Sequence, residues 1–185
     1  MELIVLVIGF FIISILGTYL HFAYEFSKHN KLVAAFSAVN ESTWEHLKIA
    51  VMPSILIGVV EYFFLYSNQN FIFGLVLSLI TMVIVILILF YTYMFIFKKH
   101  NLIYDIITFY IAIALGELVF YLILKGPLIS TYLNVVSLFG LLFIIVIFIV
   151  FTFSPPKNFL FIDPVSKETS LKAHKKSHNI SKGKK

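Results

Sequence analysis

Side chains that can carry protons or bind metal ions are concentrated in one stretch of the sequence, residues 21–48. The stretch reads HFAYEFSKHNKLVAAFSAVNESTWEHLK. Histidine with carboxylate is a ligand set for Zn²⁺ or another divalent cation, and without metal a Glu and a His within hydrogen-bond reach can act as general acid and base. The candidate catalytic residues are His21, Glu25, Glu41, Glu45 and His46. The candidate metal ligands are His21, Glu25, Glu45 and His46.

The spacing of these residues limits which of them can meet. His21 and Glu25 are four residues apart and share a face if the segment is helical. Glu45 and His46 are adjacent, so on a helix they point about 100° apart and at most one of them can face His21. Three interpretations stay open for the stretch: a site with a chemical role, a hydrogen-bonded clamp between two helices, or a solvated interface.

The sequence Asn40-Glu41-Ser42-Thr43 is typical of a helix start. A side-chain oxygen of Asn40, Ser42 or Thr43 can accept hydrogen bonds from free backbone amides. With Ser42 as the N-cap, Glu45 stands at the third helical position and predicts a capping box.

Two further residues of this region have ordinary structural interpretations. Trp44 suits the aromatic belt at a membrane interface. Lys48 can pair with Glu45 or Glu41, or extend its ammonium group towards water.

A second group of acidic residues, Glu61, Asp105 and Glu117, lies within apolar runs. A charged carboxylate inside the bilayer costs at least ~2.5 kcal/mol, so Glu61 and Glu117, at similar depth, are expected to face the bundle interior and could share a proton. Asp105 belongs by depth with the His/Glu group. A column of Asp105, Glu45, Glu61 and Glu117 could relay protons, and two unrelated structural pairs are the alternative.

Residues near these carboxylates also carry expectations. Pro53 should free a backbone carbonyl and kink its helix on the way to Glu61. Gly58 and Gly116 permit close helix approach. Tyr121, one turn after Glu117, could donate it a hydrogen bond.

Composition defines the elements that must position all of these groups. The chain has 185 residues, of which 61% are hydrophobic and 12% charged, far from the composition of a water-soluble domain. Apolar runs of about 20 residues each can cross a membrane as helices, and they lack the alternation of barrel strands. The predicted spans are 3–26, 44–66, 71–97, 102–124 and 129–153. We predict an all-α integral membrane bundle in one domain, 1–164, with a polar first loop or interfacial helix carrying Leu32, Val33 and Phe36.

The C-terminal segment 165–185 is rich in Lys and poor in apolar residues, and we expect it to be disordered. Its lysines can lie against anionic lipid headgroups, each contributing about 1 kcal/mol. A topology anchor is the simpler interpretation, and nucleic acid is not an expected partner. The chain has no Cys, which excludes disulfides and thiolate chemistry.

The motifs quoted above resemble a family of small bacterial integral membrane proteins of unknown function, whose first loop carries an Asn-Glu-Ser-x-Trp-Glu-His-x-Lys signature. The later run SPPKNFLFIDP, residues 154–164, is similar to the family's Pro-Pro and Leu-Phe-x-Asp-Pro element. A Tyr-Gly that follows Asp-Pro in the family is replaced here by Ser166-Lys167-Glu168. The resemblance covers the chain to Pro164 and implies no activity. The positions that match are Asn40, Glu41, Ser42, Trp44, Glu45, His46 and Lys48, with upstream His21, Tyr24 and Glu25.

Three classes of function are compatible with the sequence. The first is a metal-dependent or acid/base hydrolase that acts on a lipid-embedded substrate from the cytosolic interface through the His/Glu group. The second is a proton- or cation-coupled transporter that uses Glu61, Glu117 and Asp105, in which a homo-oligomer could supply the cavity. The third is a structural or partner-binding membrane subunit.

Charge predicts the orientation in the cell membrane. All 14 basic residues are Lys, and 13 of them lie on the side that holds the first loop and the C-terminus. By the positive-inside rule this side is cytosolic and the N-terminus is outside. A reporter enzyme fused to the C-terminus should therefore be active in the cytoplasm, and activity outside it would contradict the orientation.

Overall fold

The computed structural model describes residues 1–99, 101–164 and 166–173. Within these ranges the chain forms five long helices, a one-turn helix between the first two, and a 3₁₀ turn near the end. The helices are α1 (Glu2–Phe26), α2 (Lys31–Ala34), α3 (Thr43–Leu65), α4 (Phe71–Phe97), α5 (Leu102–Lys125) and α6 (Thr131–Phe153), and the 3₁₀ turn is Phe159–Phe161. The five long helices are long and apolar enough to cross a membrane. The predicted all-α bundle of five spans is confirmed.

Short connections make neighbouring long helices antiparallel. At one end of the bundle, the loop end, α1 finishes, α3 begins and the first loop (27–42) joins them. At the opposite end Asn70 ties two connections together, because its side-chain amide donates to Ile123 O and Pro127 O and its oxygen accepts from Ile129 N at 2.8 Å. Hydrogen bonds of the Asn70 side chain therefore hold the connections together at this end.

The first loop is ordered by its own polar groups. Lys28 and His29 adopt left-handed backbone conformations after α1, and Asn30 Oδ1 accepts a hydrogen bond from Leu32 N at 2.8 Å to start α2. Ala34 is buried, whereas Leu32 is 79% exposed. The loop thus packs one side against the bundle and presents apolar side chains outward, as expected for an interfacial helix.

Helices α1 and α3 approach each other closely where α3 contains a proline. Pro53 has no N–H, so the Ile49 carbonyl lacks its usual intrahelical donor. Gly17 of α1 lies against that carbonyl, since a Cβ at Gly17 would be 2.5 Å from Ile49 O and 2.6 Å from Phe109 Cζ. The helix is continuous through Pro53. Its freed carbonyl is covered by the backbone of a glycine.

The two glycines predicted at close approaches also lie against neighbouring helices. A Cβ at Gly58 would be 3.0 Å from Leu75, and one at Gly116 would be 2.5 Å from Met82. Helix α4 packs mainly on α5, and α6 is the least buried of the five.

The ordered structure continues past the boundary predicted at residue 164. Ile162 and Thr169 form an isolated antiparallel bridge, and Ser166 and Ala173 are buried. Residues 166–173, predicted to belong to a disordered tail, are instead packed against the loop end. The remainder of the predicted tail, 174–185, lies outside the described residues.

Replacing Gly17 with Ala should destabilise the bundle, because the methyl group would overlap a backbone carbonyl that cannot rotate away. Overpacking of this kind costs about 1–3 kcal/mol. Trp44, the single Trp of the chain, reports unfolding by fluorescence in detergent. Gly140→Ala is the matched control, since its Cβ would meet only Val76 Cγ1 at 4.0 Å. Equal melting temperatures for the two variants would refute the close approach.

Candidate functional site

A buried ion pair lies at the loop end of the bundle. Lys48 Nζ is 2.6 Å from Glu45 Oε2, and both side chains are almost completely shielded from solvent. Lys48 Nζ also donates to Ala34 O at 2.9 Å and to Thr152 Oγ1 at 2.8 Å. The ammonium group therefore has an acceptor for each of its three protons. Of the partners considered for Lys48, the structure selects Glu45.

The predicted capping box is not formed. Ser42 is the N-cap residue of α3, but its side chain makes no capping hydrogen bond. Asn40 Oδ1 accepts from Ser42 N at 2.8 Å, and Glu45 Oε2 reaches further back, to Val39 N at 3.1 Å. Glu45 is turned away from the cap because its carboxylate compensates the Lys48 charge.

Trp44 is part of the protein interior and not of a surface belt. Its ring stacks on Phe148 with a centroid separation of 4.4 Å and packs against Phe151 and Phe161. The side chain joins α3 to α6 and to the 3₁₀ turn. The interface role predicted for Trp44 is therefore wrong.

The C-terminal segment fastens the start of α3. Asp163, which is buried, accepts from Glu41 N at 3.3 Å and from Ser166 N at 2.8 Å. Asn40 Nδ2 donates to Ser170 O at 3.2 Å. The sequence pattern included Asp163 in an Asp-Pro element, but only the fold shows that it contacts Glu41, 122 residues before it.

Three of the candidate catalytic residues lie together. His21 Nε2 is 3.8 Å from Glu41 Oε1, and His46 Nε2 is 3.7 Å from Glu41 Oε2. The two imidazole rings are 5.5 Å apart between centroids. The Glu41 side chain is about half exposed, so protons can exchange with water at this carboxylate. As the helical spacing required, only one of Glu45 and His46 faces His21.

The tautomer of His46 follows from its contacts. His46 Nδ1 is 3.0 Å from Ser42 O, and since a carbonyl oxygen only accepts, Nδ1 carries a proton. In the neutral ring the lone pair is then on Nε2, the atom nearest Glu41. Ser42 O, on Nδ1, orients the ring and leaves Nε2 as the nitrogen that can accept a proton.

The two histidines line a cavity of about 210 Å³ between α1, α3, α4 and α5. Its other polar groups come from Thr18, Thr43, Asp105 and Thr108, and its walls are mostly apolar. The exposed wall residues, on the outer surface of the bundle, are Phe22, Leu102 and Ile106. The cavity therefore combines a polar end with an apolar lining that continues to the lipid-facing surface.

Asp105 lies in this cavity, at the loop end, as its depth indicated. Its Oδ1 accepts a hydrogen bond from Tyr93 OH of α4. Tyr93 is buried and packs on Tyr104. Tyr93 was not predicted as a site residue, and only its position within an apolar helix could have indicated it.

The four residues suggested as metal ligands do not form one set. Glu25 is exposed, and Glu45 faces the interior and pairs with Lys48. His46 engages Ser42 O through Nδ1. Throughout the described ranges, no group of three or more His, Asp or Glu side chains is arranged to hold a metal ion. The donors therefore do not fit a metal centre.

Glu61 and Glu117 are both buried, in the opposite half of the bundle. The predicted column of four carboxylates is not continuous, because Glu45 is occupied by Lys48. Tyr121 does not supply the expected hydrogen bond, since Glu117 Oε2 has no partner among the described residues.

Tyr24 of α1 is buried and packs on His29.

Comparison with protein families gives one result. Residues 3–170 match the model of a family of unknown function, DUF6512. The chain belongs to this family. The DUF6512 match extends to Ser170, and so includes the Asp163 and Ser170 contacts as well as the five helices. Membership of a family of unknown function, expected from the motifs, is confirmed at that level. No curated protein and no solved structure matches the chain.

Removing only the positive member of the buried pair should greatly reduce the stability of the protein. Lys48→Ala leaves Glu45 buried without its counter-charge, and such a change costs about 3–5 kcal/mol. The double variant Glu45→Gln/Lys48→Met should be considerably more stable than Lys48→Ala, because no charge remains buried and the amide oxygen at position 45 can still accept from Val39 N. Melting temperatures in detergent decide between them. A Lys48→Ala protein as stable as the parent would show that the pair is not buried.

Proposed function

We propose that this membrane protein is an acid/base catalyst that acts on an amphipathic substrate, and that the substrate enters the loop-end cavity from the surrounding lipid. The observation that carries the proposal is the meeting of His21, Glu41 and His46 beside a mostly apolar cavity. Such a combination of a mostly apolar cavity and a few convergent polar groups is typical of small-molecule sites.

The shape of the cavity favours a substrate with a polar head and an acyl chain. The head would lie at the histidines and Asp105, and the chain along Phe22, Leu102 and Ile106. Transfer of each methylene from water into lipid contributes about 0.8 kcal/mol, so long-chain substrates are concentrated in the membrane from which they enter, and the apolar wall accommodates their chains. A freely soluble polar metabolite would leave this wall unused.

The chemistry we assign is metal-independent hydrolysis. His46 Nε2 takes a proton from water as the water oxygen attacks the carbonyl carbon of an ester. The imidazolium formed is stabilised by Glu41 and returns the proton to the leaving oxygen as the carbon–oxygen bond breaks. His21, on the other oxygen of Glu41, orients the carboxylate and can exchange its proton with water.

Hydrolysis of p-nitrophenyl esters by the purified protein in detergent tests this proposal. We expect release of nitrophenol to be faster for decanoyl than for acetyl ester. We also expect His46→Gln to reduce kcat/KM by about 100-fold or more, the usual contribution of a general base. His29→Gln is the matched control, because His29 lies at the same end of the bundle, in the first loop, but outside the cavity.

Two results would reject the proposal. One is the absence of hydrolysis above background for every chain length. The other is an equal rate for the parent and for His46→Gln, which would place any hydrolysis elsewhere.

A further inference from the structure

Glu61 of α3 and Glu117 of α5 form a second polar site, in the half of the bundle opposite the cavity. They are 3% and 8% exposed, and the two helices that carry them contact each other. Glu61 Oε1 and Glu117 Oε2 have no hydrogen-bond partner in the described part of the chain. No Lys or His of that part forms an ion pair with either carboxylate. Two uncompensated negative charges in this setting would be very costly, so the pair must hold positive charge.

The neighbouring helices leave room for these carboxylates. A Cβ at Gly9 of α1 would overlap Glu61 Oε1, so α1 has no side chain where this carboxylate lies. A Cβ at Gly116 would be 3.1 Å from Ser78 Oγ of α4, so this hydroxyl faces α5 at the residue next to Glu117 in the sequence. Ser78 is 1% exposed and its oxygen has no hydrogen-bond partner among the described residues.

These groups also share a depth. Gly9, Ser78 and Glu117 are each seven or eight residues from the helix ends at Glu2, Phe71 and Lys125. At 1.5 Å per residue this is about 11 Å inside the bundle. Glu61 Oε1 lies against Gly9, so the unsatisfied oxygens of Glu61, Ser78 and Glu117 come from the same level of the bundle.

We propose that Glu61, Glu117 and Ser78 form an intramembrane site for a monovalent alkali cation that exchanges with a proton. With one proton on the pair, a single positive ion balances the remaining charge. Binding of the cation to the doubly protonated pair releases one proton, and the net charge of the site is unchanged. A Ca²⁺ ion takes roughly six to eight oxygen ligands, more than these three side chains supply.

Other titratable groups do not provide the missing charge. In this half of α1, α3, α4 and α5 they are Glu2, Tyr62, Tyr121 and Lys125. Lys125 Nζ is 2.6 Å from Glu2 Oε2 at the ends of the helices, so its charge already compensates the Glu2 carboxylate.

Modification by dicyclohexylcarbodiimide tests the proposal, because this apolar reagent reacts with protonated carboxyl groups inside membranes and leaves a covalent N-acylurea. The full chain in lipid nanodiscs is treated at constant ionic strength, with choline replaced in turn by Li⁺, Na⁺ or K⁺, and the modified residue is located by mass spectrometry. We expect label on Glu61 or Glu117 in choline, and protection by at least one of the alkali cations. Label that none of the three cations reduces, or the absence of label from both residues, would overturn the proposal.

A matched pair of glycine variants distinguishes cation binding at a specific site from a general effect of the cations on access of the reagent. Gly9→Ala keeps both carboxyl groups but must displace Glu61, so the cation concentration needed for protection should rise by about 10-fold or more, as when a ligand's support is removed. Gly140→Ala should protect like the parent, because its Cβ has only one distant contact. Equal protection in Gly9→Ala and Gly140→Ala would contradict the geometry proposed for Glu61. Should Gly9→Ala fail to fold, the cation dependence of labelling in the parent protein still decides.

Discussion

The structure of the loop end depends on a lysine ammonium group that has no contact with water. Lys48 Nζ is held by Glu45, by the carbonyl of Ala34 and by Thr152, and these belong to α3, the first loop and α6. Burying such a charge is tolerable only when its counter-charge and all its hydrogen bonds are present. If the first loop or α6 moved away, the Lys48 ammonium group would lose one of its hydrogen-bond acceptors. The ion pair therefore specifies where these three elements meet, whatever its net contribution to stability.

The same pair determines what the neighbouring residues can do. Because Glu45 points inward and also holds Val39 N, the chain turns at Asn40 and presents Glu41 outward, and His46 faces α1. Asp163 fixes the Glu41 backbone from the C-terminal side. One short segment thus contributes an interior face, which carries Glu45 and Lys48, and an outer face, which carries Glu41 and His46.

Much of this could be predicted from the sequence, and the failures have physical reasons. Apolar runs of span length fixed five helices to within two residues at each end, since bilayer thickness and helical rise leave little freedom. Helical spacing also predicted that Glu45 and His46 would separate, although not which would face His21. The partners of Lys48, the burial of Trp44 and the ordering of residues 166–173 depend on contacts between segments more than 100 residues apart in some cases. No local pattern contains that information. Likewise, both Glu61 and Glu117 were expected to face inward, but Gly9 and Ser78, which shape their surroundings, are ordinary small residues in a helix.

We propose that Glu41 joins His21 and His46 into one proton-exchanging unit at the edge of the cavity. The most direct test is ¹⁵N NMR of the imidazole nitrogens in protein labelled at histidine, with assignments made by single His→Gln substitutions. Our account predicts that neutral His46 is protonated at Nδ1, and that Glu41→Gln shifts the resonances of His21 and His46 together while leaving His29 unchanged. An Nε2-protonated neutral His46, or a Glu41→Gln spectrum in which only one or neither of the two histidines moves, would contradict it.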